Sequence, residues 1–132
     1  MPIVLANGCF DPLHSGHVLH LQIASRFGDV IVALTCDRSV TKEKGEGRPI
    51  LPSSVRADVL RELRCVAGVV IVNDVYEALR EVRPNIFCKG IDYSDSIDPA
   101  IRQYCDDAGI GILITESPKF SSTALINELR HG

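Results

Sequence analysis

Asn7-Gly8-Cys9-Phe10-Asp11-Pro12-Leu13-His14-Ser15-Gly16-His17 gathers a thiol, a carboxylate, two glycines and two imidazoles into one short stretch. The residue types suit an anion. The stretch follows the apolar run Ile3 to Ala6 and leads into helical spacing. The first amides of a helix have no internal partner and carry partial positive charge, so they hold phosphates well. His14 falls in the turn and His17 in the first helical turn, so both imidazoles can approach one ligand while Gly16 leaves room for it. The spacing predicts a phosphate-handling site at the mouth of the first strand.

Further groups with chemistry follow strands later in the chain. Lys42, Lys44, Arg48 and Arg56 make a local basic cluster, Lys89-Gly90-Ile91-Asp92-Tyr93 closes an apolar run, and Ser121-Ser122-Thr123 opens a helix. Each has a plain reading as well. The lysines suit a solvated loop, Arg56 a surface helix position, Lys89-Gly90 a turn and the hydroxyl triplet a helix cap. His20 reads as a buried structural histidine, and Lys119 and His131 as surface. Together the basic and hydroxyl groups could neutralise a triphosphate, a task of positioning and electrostatics that needs no covalent nucleophile.

These groups need a frame, and the apolar pattern supplies one. Strands are expected at Ile3 to Ala6, Val30 to Leu34, Val69 to Val72, Ile86 to Cys88 and Ile110 to Ile114. Between them lie helical patterns. The first runs from Gly16 to Phe27, with His17, His20, Leu21, Ala24 and Phe27 inward and Gly28 as a positive-φ stop. A second is capped by Ser53 or Ser54 and buries Val55, Val59, Leu60 and Leu63, with Arg56 off the stripe. Val75 to Val82, the segment ended by Gly109, and the segment opened by Ser121 complete the set, and Arg38 to Pro52 reads as a polar loop. The alternation predicts a single α/β domain, a doubly wound parallel five-stranded sheet that binds ligands at the carboxyl ends of its strands.

Composition narrows the class. At 132 residues one domain is expected, and 23% charged against 45% hydrophobic residues is the balance of a soluble globular chain. Net charge is −3, which gives nucleic acid no general attraction. There is no basic leader and no apolar run of membrane length, so a cytoplasmic protein without membrane partners is expected. The five cysteines are scattered and never form CxxC, which disfavours disulfides and structural zinc; Cys9, His14 and His17 alone supply no closed ligand set. Val18, Leu19 and Ile23 widen the apolar surface of the first helix, and a homodimer is expected.

Gly8-Cys9-Phe10-Asp11-Pro12-Leu13-His14-Ser15-Gly16-His17 resembles the GxFDxxHxGH signature of the cytidylyltransferase-like nucleotidyltransferases. Lys42 and Lys44 are similar to the loop lysines of that family, Arg48-Pro49 and Arg56 to its arginines, Lys89 to Tyr93 to its KGxDY segment, and Ser121 to Thr123 to its late hydroxyl turn. The resemblance implies transfer of AMP or CMP from a nucleoside triphosphate to a small phosphorylated acceptor, such as a sugar 1-phosphate or polyol phosphate, releasing pyrophosphate with magnesium. It implies catalytic roles for His14, His17, Lys44 and Lys42, and nucleotide contacts from Cys9, Phe10, Gly16, Lys89, Gly90, Asp92, Ser121, Ser122 and Thr123. Asp11, Arg48 and Arg56 would bind the acceptor, with Asp11 as the candidate contact to Mg2+. Gly45-Glu46-Gly47-Arg48-Pro49 and the KGxDY segment look most like the nucleotidyltransferase half of the bifunctional ADP-heptose synthases, with glycerol-phosphate cytidylyltransferases and FAD synthetases close behind. Pro12 after Asp11, Ala124 after the triplet, and a length without room for a kinase domain depart from the heptose enzymes. FMN and phosphonates are alternative acceptors, and a non-catalytic nucleotide sensor is the alternative class.

Overall fold

A computed structural model describes residues 1–91 and 97–116. Its elements run β1 (Ile3–Gly8), α1 (Ser15–Ser25), β2 (Asp29–Thr35), α2 (Asp37–Lys44), α3 (Ser53–Arg61), β3 (Val66–Val72), α4 (Val75–Val82), β4 (Ile86–Ile91), α5 (Pro99–Ala108) and β5 (Gly111–Glu116). The five strands form one parallel sheet in the order β3-β2-β1-β4-β5. This is the α/β architecture expected from the alternating pattern.

The sheet is buried from both sides because the middles of its central strands, Val4 to Ala6, Val30 to Leu34 and Ile86 to Cys88, are apolar on both faces. In β1, Val4 and Ala6 pack with Leu21, Ala24, Val32, Ala57 and Leu60 on one face. Leu5 points the other way, among Ala33, Leu79, Phe87 and Cys105. Strand period two sends successive side chains into the two opposite cores.

Strand order reverses beside β1, and the ladder there is short. β1 pairs with β4 only through Val4–Ile86, Leu5–Phe87 and Ala6–Cys88. Beyond that point β1 stays with β2 as far as Gly8–Leu34, while β4 stays with β5 as far as Ile91–Glu116. A crevice therefore opens between Asn7-Gly8 and Lys89-Gly90, at the carboxyl ends of the strands and at the switch point.

Four sequence expectations need correction. The stretch from Arg38 to Pro52 is not all loop: α2 occupies its first half, and Lys42 and Lys44 sit in the last turn of that helix. Only Val40 of α2 is buried, so no apolar stripe announced it. On α3 the buried face is Arg56, Ala57 and Leu60, whereas Val55 and Val59 are exposed, and no side chain caps the helix. Lys89-Gly90 continues β4 instead of turning. Gly28 is needed for close approach and not for positive φ, since a Cβ there would lie 2.2 Å from the Pro2 carbonyl oxygen.

β3 begins at Val66, earlier than its β-branched run suggests, and Gly109 ends α5 at φ 71 as its position implied. Leu19 and Phe27 of the α1 region are exposed. The helix expected after Ser121 lies outside the described residues. No described helix is long and apolar enough to cross a membrane.

Candidate functional site

The motif after β1 is built by local packing. Asn7 donates its side-chain amide to the Ala33 carbonyl at 2.9 Å and fixes the end of β1 against β2. Phe10 follows with φ 48, a left-handed conformation that costs a residue with a side chain. Its ring is buried and packs edge-on to His17 at 5.0 Å. Gly8 leaves room beneath it, since a Cβ there would stand 3.0 Å from the Phe10 ring and press on it.

His14 is the N-cap of α1 and His17 its third residue, and the two rings cap the helix reciprocally. The Gly16 N–H donates to His14 Nδ1 at 3.0 Å, and the His14 N–H donates to His17 Nδ1 at 3.2 Å. The rings stack at 3.8 Å with planes 20° apart. An Nδ1 that accepts a hydrogen bond carries no proton, so each neutral ring keeps its proton on Nε2. Burial lowers the pKa of His14, and His17 is pushed down to about 3 by burial first, then by repulsion from His14, His20 and Lys44. At neutral pH the pair is two uncharged Nε2–H donors at a helix N-terminus. The Nε2 edge of His14 is shielded from water, where a hydrogen bond to an anion is stronger.

Lys44 arrives from α2. Its charge opposes protonation of His17 and partly offsets the burial that raises the Cys9 thiol pKa, so the lysine acts electrostatically on the motif. Cys9 is therefore a thiol, and its carbonyl is occupied by Arg56. Lys42 is exposed on the same turn. Across the crevice, Gly90 adjoins His20, where a Cβ would lie 3.5 Å from the ring. His20 Nδ1 and Thr115 Oγ1 are 2.6 Å apart, which ties α1 to β5 and supports the structural reading of His20.

The three residues expected to bind the acceptor are held by the protein itself. Asp11 is fully buried, and its carboxylate accepts from the Ile50 and Leu51 N–H groups at 2.6 and 2.9 Å and from Arg48 Nε at 3.3 Å. Arg48 also donates to the Asp11 carbonyl at 2.9 Å. Arg56 donates to the carbonyls of Leu51, Cys9 and Thr35 and to Asp37 Oδ1, using every nitrogen of its guanidinium. Its side chain is fully enclosed. Both arginines are bound to protein carbonyls and carboxylates, and these contacts brace the motif.

The same geometry bears on magnesium. Three protein N–H groups bind the buried Asp11 carboxylate, and among the described residues no three His, Cys, Asp or Glu side chains converge as a metal seat. Asp11 does not fit the role of metal ligand. Asp92, Ser121, Ser122 and Thr123, expected at the nucleotide, lie outside the described residues. Sequence reading missed Asp37 and Thr115, whose partners are 19 and 95 residues away and leave no local signal.

The cytidylyltransferase-like family model matches residues 5–128, and the chain belongs to this family of nucleotidyltransferases. It is 39% identical, over 98% of its length, to the bifunctional protein HldE of Streptomyces coelicolor, and covers 29% of that protein. Identity to HldE of a Nitratiruptor species is 49% over 69% of the chain and 20% of the relative. The chain thus spans less than a third of these curated relatives. A solved structure of a lipopolysaccharide core biosynthesis protein from Thermoplasma volcanium superposes with TM-score 0.71 and 27% identity, covering 92% of this chain and 99% of that one. Thermotoga maritima TmcAL, solved with alpha-thio ATP, shares the fold at TM-score 0.67 and 14% identity, over 99% of this chain and 50% of its own.

Proposed function

We propose that the chain transfers a nucleoside monophosphate from a nucleoside triphosphate to a small phosphorylated acceptor, a sugar or polyol phosphate, and releases pyrophosphate. The observation that carries this reading is the stacked His14–His17 pair, two uncharged Nε2–H donors at the start of α1, facing a strand order that reverses beside β1. Family membership and the HldE relatives support the reaction class.

In this reading the triphosphate lies at the start of α1, with its oxygens toward the two Nε2–H groups in the positive field of the helix N-terminus. An acceptor phosphate oxygen attacks the α-phosphorus in line, a new P–O bond forms, and the bond to the β-phosphate oxygen breaks. The acceptor is already an anion, so no base is needed to create the nucleophile. Lys44, with Lys42 on the same turn, offsets the charge that builds on the α-phosphate, and fixed donors of this kind are worth about 3 kcal/mol each in a barrier. Lys89 and Gly90 flank the nucleotide from the other wall of the crevice, and Asp92 and Ser121 to Thr123 complete the site. Magnesium bound with the phosphates would neutralise part of their charge, and the buried Asp11 carboxylate, already held by protein N–H groups, would not be its ligand.

The test is pyrophosphate release. The protein with magnesium is incubated with ATP, CTP, GTP or UTP against sugar 1-phosphates, polyol phosphates, FMN and phosphonates. Release that requires both a nucleotide and an acceptor supports the reading. Nucleotide binding with no pyrophosphate from any pair replaces it with a nucleotide-sensing role.

A further inference from the structure

α2 carries the lysine that the proposed reaction needs, yet it is poorly equipped to hold its own place. It has eight residues and one buried apolar side chain, Val40. A helix that short and polar is not stable alone, so its position is set by what it is tied to. Its N-cap Cys36 is held at the end of β3, donating its N–H to the Val72 carbonyl at 2.8 Å and its thiol to Asn73 Oδ1 at 3.3 Å, and two described side chains within the helix tie it to other segments. Thr41 donates its hydroxyl to the Arg48 carbonyl at 2.6 Å, and Asp37, the first residue of the helix, pairs with Arg56 Nη2 at 2.6 Å.

The Arg56 end of that pair is immobilised. Its guanidinium also binds the carbonyls of Thr35 at the end of β2, Cys9 in the histidine motif and Leu51 before α3. It is therefore referenced to the end of β2 and to the motif that follows β1, one wall of the crevice. The Asp37 side chain is 44% exposed, so its substitution opens no core cavity. From Asp37 to Lys44 the helix makes a lever of about 10 Å, on which a tilt of roughly 6° displaces Lys44 by about 1 Å.

We propose that the Arg56–Asp37 ion pair is a positioning device that sets where α2 holds Lys44 against the His14–His17 pair. The inference rests on the transfer reaction proposed above for the role of Lys44, although the placement of α2 can be read without it. Neither Asp37 nor Arg56 touches the reacting atoms; each acts through Lys44. Misplacement of a catalytic group by about 1 Å costs up to ~100-fold in rate.

The test is a double-mutant cycle with Asp37→Ala and Lys44→Ala, read beside amide hydrogen exchange. Asp37→Ala is expected to lower kcat about 10- to 100-fold, to leave nucleotide KM within about threefold, and to add nothing to the loss already caused by Lys44→Ala. Asp37→Glu, which keeps the charge, recovers part of the rate. Exchange at Thr41 to Gly45 rises in Asp37→Ala while β1 and β2 exchange as in the parent. An equal kcat loss in both backgrounds, or no loss, overturns the proposal. If the parent protein transfers nothing from any pair, the reaction is wrong, and the exchange data alone decide the positioning: unchanged protection of α2 in Asp37→Ala overturns it.

Discussion

His17 Nδ1 accepts the backbone N–H of His14 while the two rings stack at 3.8 Å, so one histidine caps the helix that the other occupies. Protonation of either Nδ1 removes a cap and places positive charge beside Lys44. The imidazoles thus work as neutral donors, and their pKa follows from the fold.

A first prediction concerns pH. His17, with an ordinary value of 6.5 pushed down to about 3, stays neutral in the folded protein across that interval, while the unfolded chain takes up the proton. Stability from this group is fully present above pH 6.5 and is lost as pH falls toward 3, with a limiting slope of about 1.4 kcal/mol per pH unit. Urea unfolding midpoints at pH 7 and pH 5 check the sign, and long-range nitrogen-proton spectra should show an Nε2–H tautomer for both rings at pH 7 and still for His17 at pH 5. An imidazolium pattern for His17 at that pH would show that the ring is not held this way.

Asp11→Ala leaves Arg48 and the Ile50 and Leu51 amides without their carboxylate. Removing one partner of a buried ion pair typically costs about 3–5 kcal/mol. The loss should register in a denaturation curve before it registers as a weaker acceptor KM. A folded, fully stable variant with a raised acceptor KM would return Asp11 to substrate binding.

Much of this fold was legible because its signals are local. Val30 to Leu34 and Ile86 to Cys88 are continuous apolar runs, and the runs alternate with helical spacing, which suffices for a parallel sheet. The histidine pair was legible for the same reason: its partners are three residues apart or fewer. The buried arginine was not. Arg56 occupies the core face of α3 because carbonyls 21 and 47 residues away satisfy it, and nothing near position 56 records that. α2 escaped notice because one valine is its whole apolar face. The acceptor roles of Asp11, Arg48 and Arg56 came from family resemblance, and nothing near these positions in the sequence records the protein partners that hold all three.

Gly28→Ala tests the packing at the start of the sheet. The new Cβ would collide with the Pro2 carbonyl, which also accepts the Asp29 N–H at 2.8 Å. A loss of about 1–3 kcal/mol is expected, as for other overpacked sites, and a thermal melt reads it. An unchanged midpoint would mean that the amino-terminal residues move aside at no cost.

Lys44→Ala should lower kcat more than it raises nucleotide KM, since an interaction that grows in the transition state appears in turnover. Steady-state kinetics with varied nucleotide at saturating acceptor separate the two. A change confined to KM would make Lys44 a ground-state binding residue.

The most direct measurement follows the α-phosphate. With the nucleotide and acceptor that release pyrophosphate, label in the α-phosphate should appear in the acceptor product, mole for mole with pyrophosphate. His17→Ala should slow that transfer about 100- to 1000-fold in a protein whose circular dichroism matches the parent. Transfer of γ-phosphate label to the acceptor, or full activity in folded His17→Ala, would contradict the account.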